Sequence, residues 1–330
     1  TPVQQIVKSL NELATKACNR VYRDQRKGLF PDPQPEQFAE LATKLFGQGD
    51  AAYVFNGALA RHLKEATGWD DKVHRLLTIM DKAPTEEGPR KLVLSSIDAL
   101  LAETLNGSAA LHDLMGAVEN LAQAIRRLVE LFLGKTSADA RAGIAALAHH
   151  FAADSLPEAK TALANRIMAE LKANKRLCPD SIVDELKALR ELANKIGMGV
   201  GKYLSHEDLV AAVTLRAKRL VNQETLSPYV ADVTVDEKVE RLLFVEDNII
   251  GVENKRQLAS FVMPVLVSAP FENHFQNPKL PLLARLQKLA QLQTRVLRSG
   301  FIDVSKAEMA EKLDSLATQV EARGKLFDSV

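Results

Sequence analysis

The chain has 330 residues, 46% hydrophobic and 26% charged, with 43 Lys plus Arg against 42 Asp plus Glu and a net charge of +1. This is a globular composition, long enough for one large core or two ordinary domains, and it excludes a disordered tail. Balanced charge gives no bulk attraction to nucleic acid or an anionic membrane, so neither is an expected partner.

The N-terminus, TPVQQIVKSL, has neither a basic start nor an apolar signal core. No apolar run approaches the roughly 20 residues of a membrane span. The sequence does not begin with Met, so it is read as a processed form or a piece of a longer protein. Cys18 and Cys178 lack any CxxC or Cys/His metal spacing, and they read as reduced thiols of a cytoplasmic protein. GLFPDPQP (28–35) reads as a rigid linker, or else as an extended docking strap.

Beyond this point the apolar period is helical nearly everywhere. In 108–133, Leu111, Leu114, Val118, Leu121, Ile125, Leu128, Val129 and Phe132 recur at three- and four-residue steps, a wide stripe on one long helix. Ser155-Leu-Pro-Glu158, Ser205-His-Glu-Asp208, Thr234-Val-Asp-Glu237 and Ser305-Lys-Ala-Glu308 resemble capping boxes, in which the first hydroxyl accepts from an amide three residues on. The one strand-like stretch, YVADVTV (229–235), follows a Ser-Pro pair and reads as an extended connector. The C-terminus carries two seams: Leu282, Leu286, Leu289 and Val296, then Met309, Leu313, Leu316, Val320 and Phe327. They predict an αα-hairpin that packs within the chain, with a homodimer contact as the alternative.

The expected fold is all-α: about a dozen antiparallel helices in an irregular array, either a HEAT-like stack or two packed bundles. A glycine-rich break places a boundary between 1–198 and 199–330. In NKIGMGVGKYLSHEDL, Gly197, Gly199 and Gly201 precede Lys202. Neither phosphate-loop template fits, because Ile196 stands where the first glycine belongs, Tyr203 replaces the hydroxyl, and the flank is helical. The stretch therefore reads as a helix end first, and as a hinge or anion site at Gly197, Gly199, Gly201 and Lys202 second.

No catalytic, metal or cofactor motif is read. His149-His150 lies four residues before Asp154 at best, without a third ligand. His74, His206 and His274 stand without obvious partners. The segment 248–281 is unusually apolar and is interrupted by Pro264. It reads as a kinked core helix, or as an apolar groove with Met263, Phe271 and Phe275 as contacts and Lys255 and Arg256 at its rim. As a class, the Leu/Ala-rich array without a catalytic signature resembles bacterial adaptor or regulatory regions. The expected function is a non-catalytic, protein-binding regulatory scaffold. The alternative is a helical-bundle enzyme or small-ligand sensor with a site assembled from distant helices.

Overall fold

The structure is a computed structural model that describes residues 5, 8, 12, 15, 16, 35–107, 121–136, 140–173, 182–196 and 202–327. Among them the chain is all-α, with no strand. In order the helices are α1 (Pro35–His62), α2 (Trp69–Asp81), α3 (Glu87–Asn106), α4 (Leu121–Phe132), α5 (Ala142–Ala152), α6 (Pro157–Lys172) and α7 (Ile182–Ile196). There follow α8 (His206–Leu220), α9 (Gln223–Tyr229), α10 (Val235–Asn248), α11 (Val252–Leu266), α12 (Ala269–Gln276), α13 (Leu282–Arg298) and α14 (Asp303–Phe327). A single 3-10 turn, Leu63–Glu65, closes α1. The helices form two compact units, Thr1–Ala117 with Arg127–Ile167 and Val118–Arg126 with Met168–Val330.

In the first unit α3 packs on α1, and α2 packs on α3 and α5. The stripe read over 108–133 is described from Leu121, where Ile125, Leu128, Val129 and Phe132 are buried. Two helix starts in this unit are capped from elsewhere in the chain. Asp70 of α2 accepts from the Ile144 amide in the first turn of α5 (3.3 Å). Gly143 permits that approach, since a Cβ there would stand 2.3 Å from the Asp70 carbonyl oxygen. Asp98 of α3 accepts from the Glu158 and Ala159 amides of α6, at 2.9 and 2.8 Å. The capping box read at Ser155 is therefore replaced: Pro157 opens α6, and a buried carboxylate 60 residues upstream holds its free amides. Burial pushes the Asp98 carboxyl up, and the two amides oppose that shift.

In the second unit α10 is central, touching α7, α11, α12 and α13, while α13 and α14 form the C-terminal hairpin. Leu289 and Val296 of one seam and Met309, Leu313, Leu316 and Val320 of the other are buried. Ser205 caps α8, its hydroxyl accepting from the Asp208 amide (3.4 Å) as its box predicts. Thr234 precedes α10 without a side-chain cap, and α14 starts at Asp303, ahead of Ser305. Tyr229 ends α9 and Asp232 turns left-handed (φ 57°), so the YVADVTV connector is a turn rather than an extended run. Pro264 sits two residues from the end of α11, where Ser268 caps the next helix by accepting from Phe271 N–H.

One fully buried ion pair and one half-buried pair fasten this unit. Arg216 (1% exposed) donates through Nε to Glu185 (0%) at 2.5 Å, and through Nη1 to the Ala173 carbonyl beyond α6 at 2.6 Å. Burial pushes the Glu185 carboxyl up, against the pull of the guanidinium. Glu246, at the end of α10, accepts from Lys255 of α11 (2.7 Å) and from the Gly300 amide between α13 and α14 (2.8 Å). Gly300 lets Lys255 Nζ come close, since a Cβ there would lie 2.1 Å from it and would push the flexible lysine end aside.

Removing one partner of a buried pair strands the other charge, whereas replacing both with apolar groups does not. Arg216→Ala is expected to lower unfolding free energy by about 3–5 kcal/mol in urea melts. Glu185→Leu with Arg216→Met is expected to restore most of that loss; a double variant as unstable as the single one would contradict the assignment.

Candidate functional site

One polar constellation in the first unit joins three elements. His150, in the last turn of α5, is 8% exposed. Its Nε2 lies 3.1 Å from Asp81 Oδ1 at the end of α2, and its Nδ1 lies 3.0 Å from Ser155 Oγ, just before α6. The Ser155 hydroxyl is also placed to donate to the His150 carbonyl oxygen (3.1 Å). Asp154, directly before it, has the left-handed φ of 55° that folds the chain back over the helix end.

This geometry satisfies either charge state of the ring. As a neutral ring, His150 donates from Nε2 to Asp81 and accepts at Nδ1 from the Ser155 hydroxyl. As an imidazolium it donates from Nδ1 to Ser155 Oγ, whose own proton turns to the carbonyl. Burial pushes the His150 pKa down, Asp81 opposes that shift, and the neighbouring His149, edge-on at 5.7 Å, adds to it. Sequence reasoning paired His150 with Asp154. The helix instead ends at Ala152, and Asp154 turns to Lys160 (3.5 Å). Asp81 lies 69 positions away in the sequence, so no local spacing announces it.

The other sequence-derived residues are distributed as follows. Gly197, Gly199 and Gly201 lie outside the described residues. Lys202 is exposed, its ammonium 5.2 Å over the Tyr203 ring. Phe271 and Phe275 are fully interior, their ring centroids 5.0 Å apart, so both rings are core packing and neither is presented to a partner. Met263 is half-buried on α11. Lys255 is held by Glu246, and Arg256 is exposed and paired with Glu253 on its own helix. The five residues thus do not form one open groove. His274 has a partner after all, Asp236 at 3.5 Å, beside Lys288.

A feature that the sequence reading missed lies on the hairpin. Leu283, Ala284, Gln287, Ala290, Gln291, Thr294, Leu297 and Arg298 are the exposed residues of α13. At about 100° per residue they occupy a single arc of about 140°, and Arg298 is their only charge. Leu283 and Leu297 are 67% and 55% exposed. The Thr294 hydroxyl donates to the Ala290 carbonyl (2.8 Å), which settles its polar group within the helix. The neighbouring α14 behaves like an ordinary solvent face, exposing Asp303, Glu308, Glu311, Lys312, Asp314, Glu321 and Arg323.

Among the described residues no group of three or more His, Cys, Asp or Glu side chains is placed to hold a metal ion, and no helix is long and apolar enough to cross a membrane. No protein-family model, curated protein or solved structure matches the chain.

Because the pKa of His150 is depressed in the folded state, the unfolded chain takes up its proton first as pH falls. Stability from this residue is complete above about pH 6.5 and declines as pH drops from there to the folded value. His150→Gln is expected to flatten the denaturation midpoint between about pH 7 and 5 by less than one proton's slope. A wild-type profile that the variant reproduces would show that His150 titrates as a free histidine.

Proposed function

We propose that the chain is a non-catalytic, cytoplasmic helical scaffold that works by binding protein through the outward face of α13. The observation that carries this reading is the near absence of charge on that face in a chain with 26% charged residues. Charge depletion, more than bulk hydrophobicity, marks the centre of a protein interface. Leu283 and Leu297, fourteen residues apart, supply apolar anchors on a rigid helix, and Gln287 and Gln291 supply uncharged polar contacts. The α13–α14 packing and the Lys288–Glu240 and Arg295–Asp247 pairs to α10 hold the helix before any partner arrives, so little ordering cost accompanies binding.

A second reading, an enzyme with a site assembled from distant helices, is favoured by the Asp81–His150–Ser155 chain. In it Ser155 Oγ attacks an acyl carbon while its proton passes to His150 Nδ1; the bond to the leaving group then breaks, His150 returns the proton to that group, and Asp81 holds the Nε2–H throughout.

Two experiments separate these readings. Tagged wild-type chain and the Leu283→Glu/Leu297→Glu variant are compared as baits, and each protein retained by the first is purified and titrated against both. A surface role requires at least about tenfold weaker binding by the variant; equal binding rules the face out. A fluorophosphonate probe is expected to leave Ser155 unlabelled. Labelling that Ser155→Ala and His150→Gln both abolish would favour the enzyme instead.

A further inference from the structure

The sequence places glycine directly after asparagine twice, at Asn56-Gly57 within α1 and at Asn106-Gly107 at the end of α3. All four residues are exposed. Glycine puts no side chain beside its own backbone nitrogen and leaves the torsions around it free. That nitrogen can therefore reach the side-chain carbonyl carbon of the asparagine before it. We propose that Asn106 is a site of spontaneous deamidation, closed through the Gly107 nitrogen, and that the helix around Asn56 protects the other pair. The proposal is independent of the α13 face.

The reaction needs only water. The Gly107 nitrogen gives its proton to solvent base and attacks Asn106 Cγ. A bond from that nitrogen to Cγ forms, the Cγ–Nδ2 bond breaks, and Nδ2 takes up a proton from water and leaves as ammonia. Water then opens the cyclic imide at one of its two carbonyl carbons. Breaking the new bond at Cγ gives aspartate, and breaking the original peptide bond gives isoaspartate, with the chain rerouted through the side chain. No oxidant or reductant takes part.

Ring closure requires a backbone torsion at the asparagine that an α-helix does not supply, so the two pairs differ by what must open. Asn106 is the last residue of α3, and Gly107 is already extended (φ −73°, ψ 149°). The Gly107 N–H makes one bond, to the Thr104 carbonyl at 3.2 Å, of the tightened kind that closes helix ends. Among the described residues the Asn106 side-chain amide has no hydrogen-bond partner. Turning Asn106 therefore disturbs a single hydrogen bond at a terminus that frays readily. Asn56 stands six residues before the end of α1 at His62, and the Gly57 N–H belongs to the helical ladder. Opening there breaks the ladder on both sides and pulls on Phe55 and Leu59, which are fully buried.

Either product places a negative charge in the last turn of α3, where the helix dipole disfavours it, and takes the formal net charge from +1 to zero. The test is to hold the purified chain at mildly alkaline pH over days and follow it by isoelectric focusing and by mass mapping of its peptides. An acidic form is expected to accumulate, with the amide-to-acid mass gain at Asn106. Asn56 is expected to react at least about tenfold more slowly, the factor that one or two ladder hydrogen bonds are worth. In urea, with both helices unfolded, the two sites are expected to react at similar rates. Asn106→Gln is expected to lose the early acidic form. Gly107→Ala, whose Cβ would stand 3.3 Å from the Thr104 carbonyl oxygen and so needs only a small shift, is expected to slow it. An Asn106 that stays intact while the urea-unfolded chain reacts at both sites overturns the proposal, as does an acidic form that persists in Asn106→Gln. An Asn56 that keeps pace with Asn106 in the folded chain, or still lags it in urea, overturns the protective role of the helix.

Discussion

A carboxylate taken out of water has to be met by donors that the fold itself holds in place, and this chain uses that requirement to join helices far apart in sequence. In the first unit, Asp98 of α3 fixes the start of α6 and Asp70 of α2 fixes the start of α5. In the second, Glu185 of α7 binds Arg216 of α8, and Glu246 of α10 gathers α11 and the α13–α14 turn. Leucine and alanine dominate these cores and pack without strong directional preference. These carboxylates, buried except for half-buried Asp70, supply the direction, because each meets its donors only when particular helix ends arrive together.

That division explains what was legible in the sequence. Helical periodicity comes from the repeat of apolar positions along one face, and it identified the all-α class, the Ile125–Phe132 stripe and both seams of the terminal hairpin. Local caps were readable where donor and acceptor are three residues apart, as at Ser205. The cap of α6 was misread because Ser155 has the right residue type at nearly the right place, yet its hydroxyl turns back to His150 and the amides pair with Asp98. Asp81 was invisible as a partner of His150 for the same reason: the contact is made by tertiary packing and leaves no spacing behind.

The apolar segment around Pro264 shows a different limit. Dense apolar residues reveal that a surface must be covered, but not whether the protein or a partner covers it. Phe271 and Phe275 proved to be covered from within, packed on each other beneath α12. The converse error concerned α13, where the inward leucines drew attention from the outward ones. Leu283, Ala290 and Leu297 are unremarkable in a Leu/Ala-rich sequence. They become a surface only once burial has sorted one side of the helix from the other.

The outward face of α13 and the stability of its unit then have a common origin. Four basic residues lie on this helix and no acidic one. Arg285, Lys288 and Arg295 are drawn to acceptors on α12 and α10, where they fasten the hairpin to the central helix. A helix whose charges are engaged on its inner side and flanks has few left for solvent, so the contacts that hold α13 in place also strip its outer face of charge. On α14 most charges face water instead, and that helix attaches mainly through its apolar seam, with Arg323 and Gln319 bonded to Gln276 of α12. An uncharged, leucine-bearing surface on a firmly anchored helix is thus a consequence of how this unit is fastened, and it is the property on which a binding role for the chain depends.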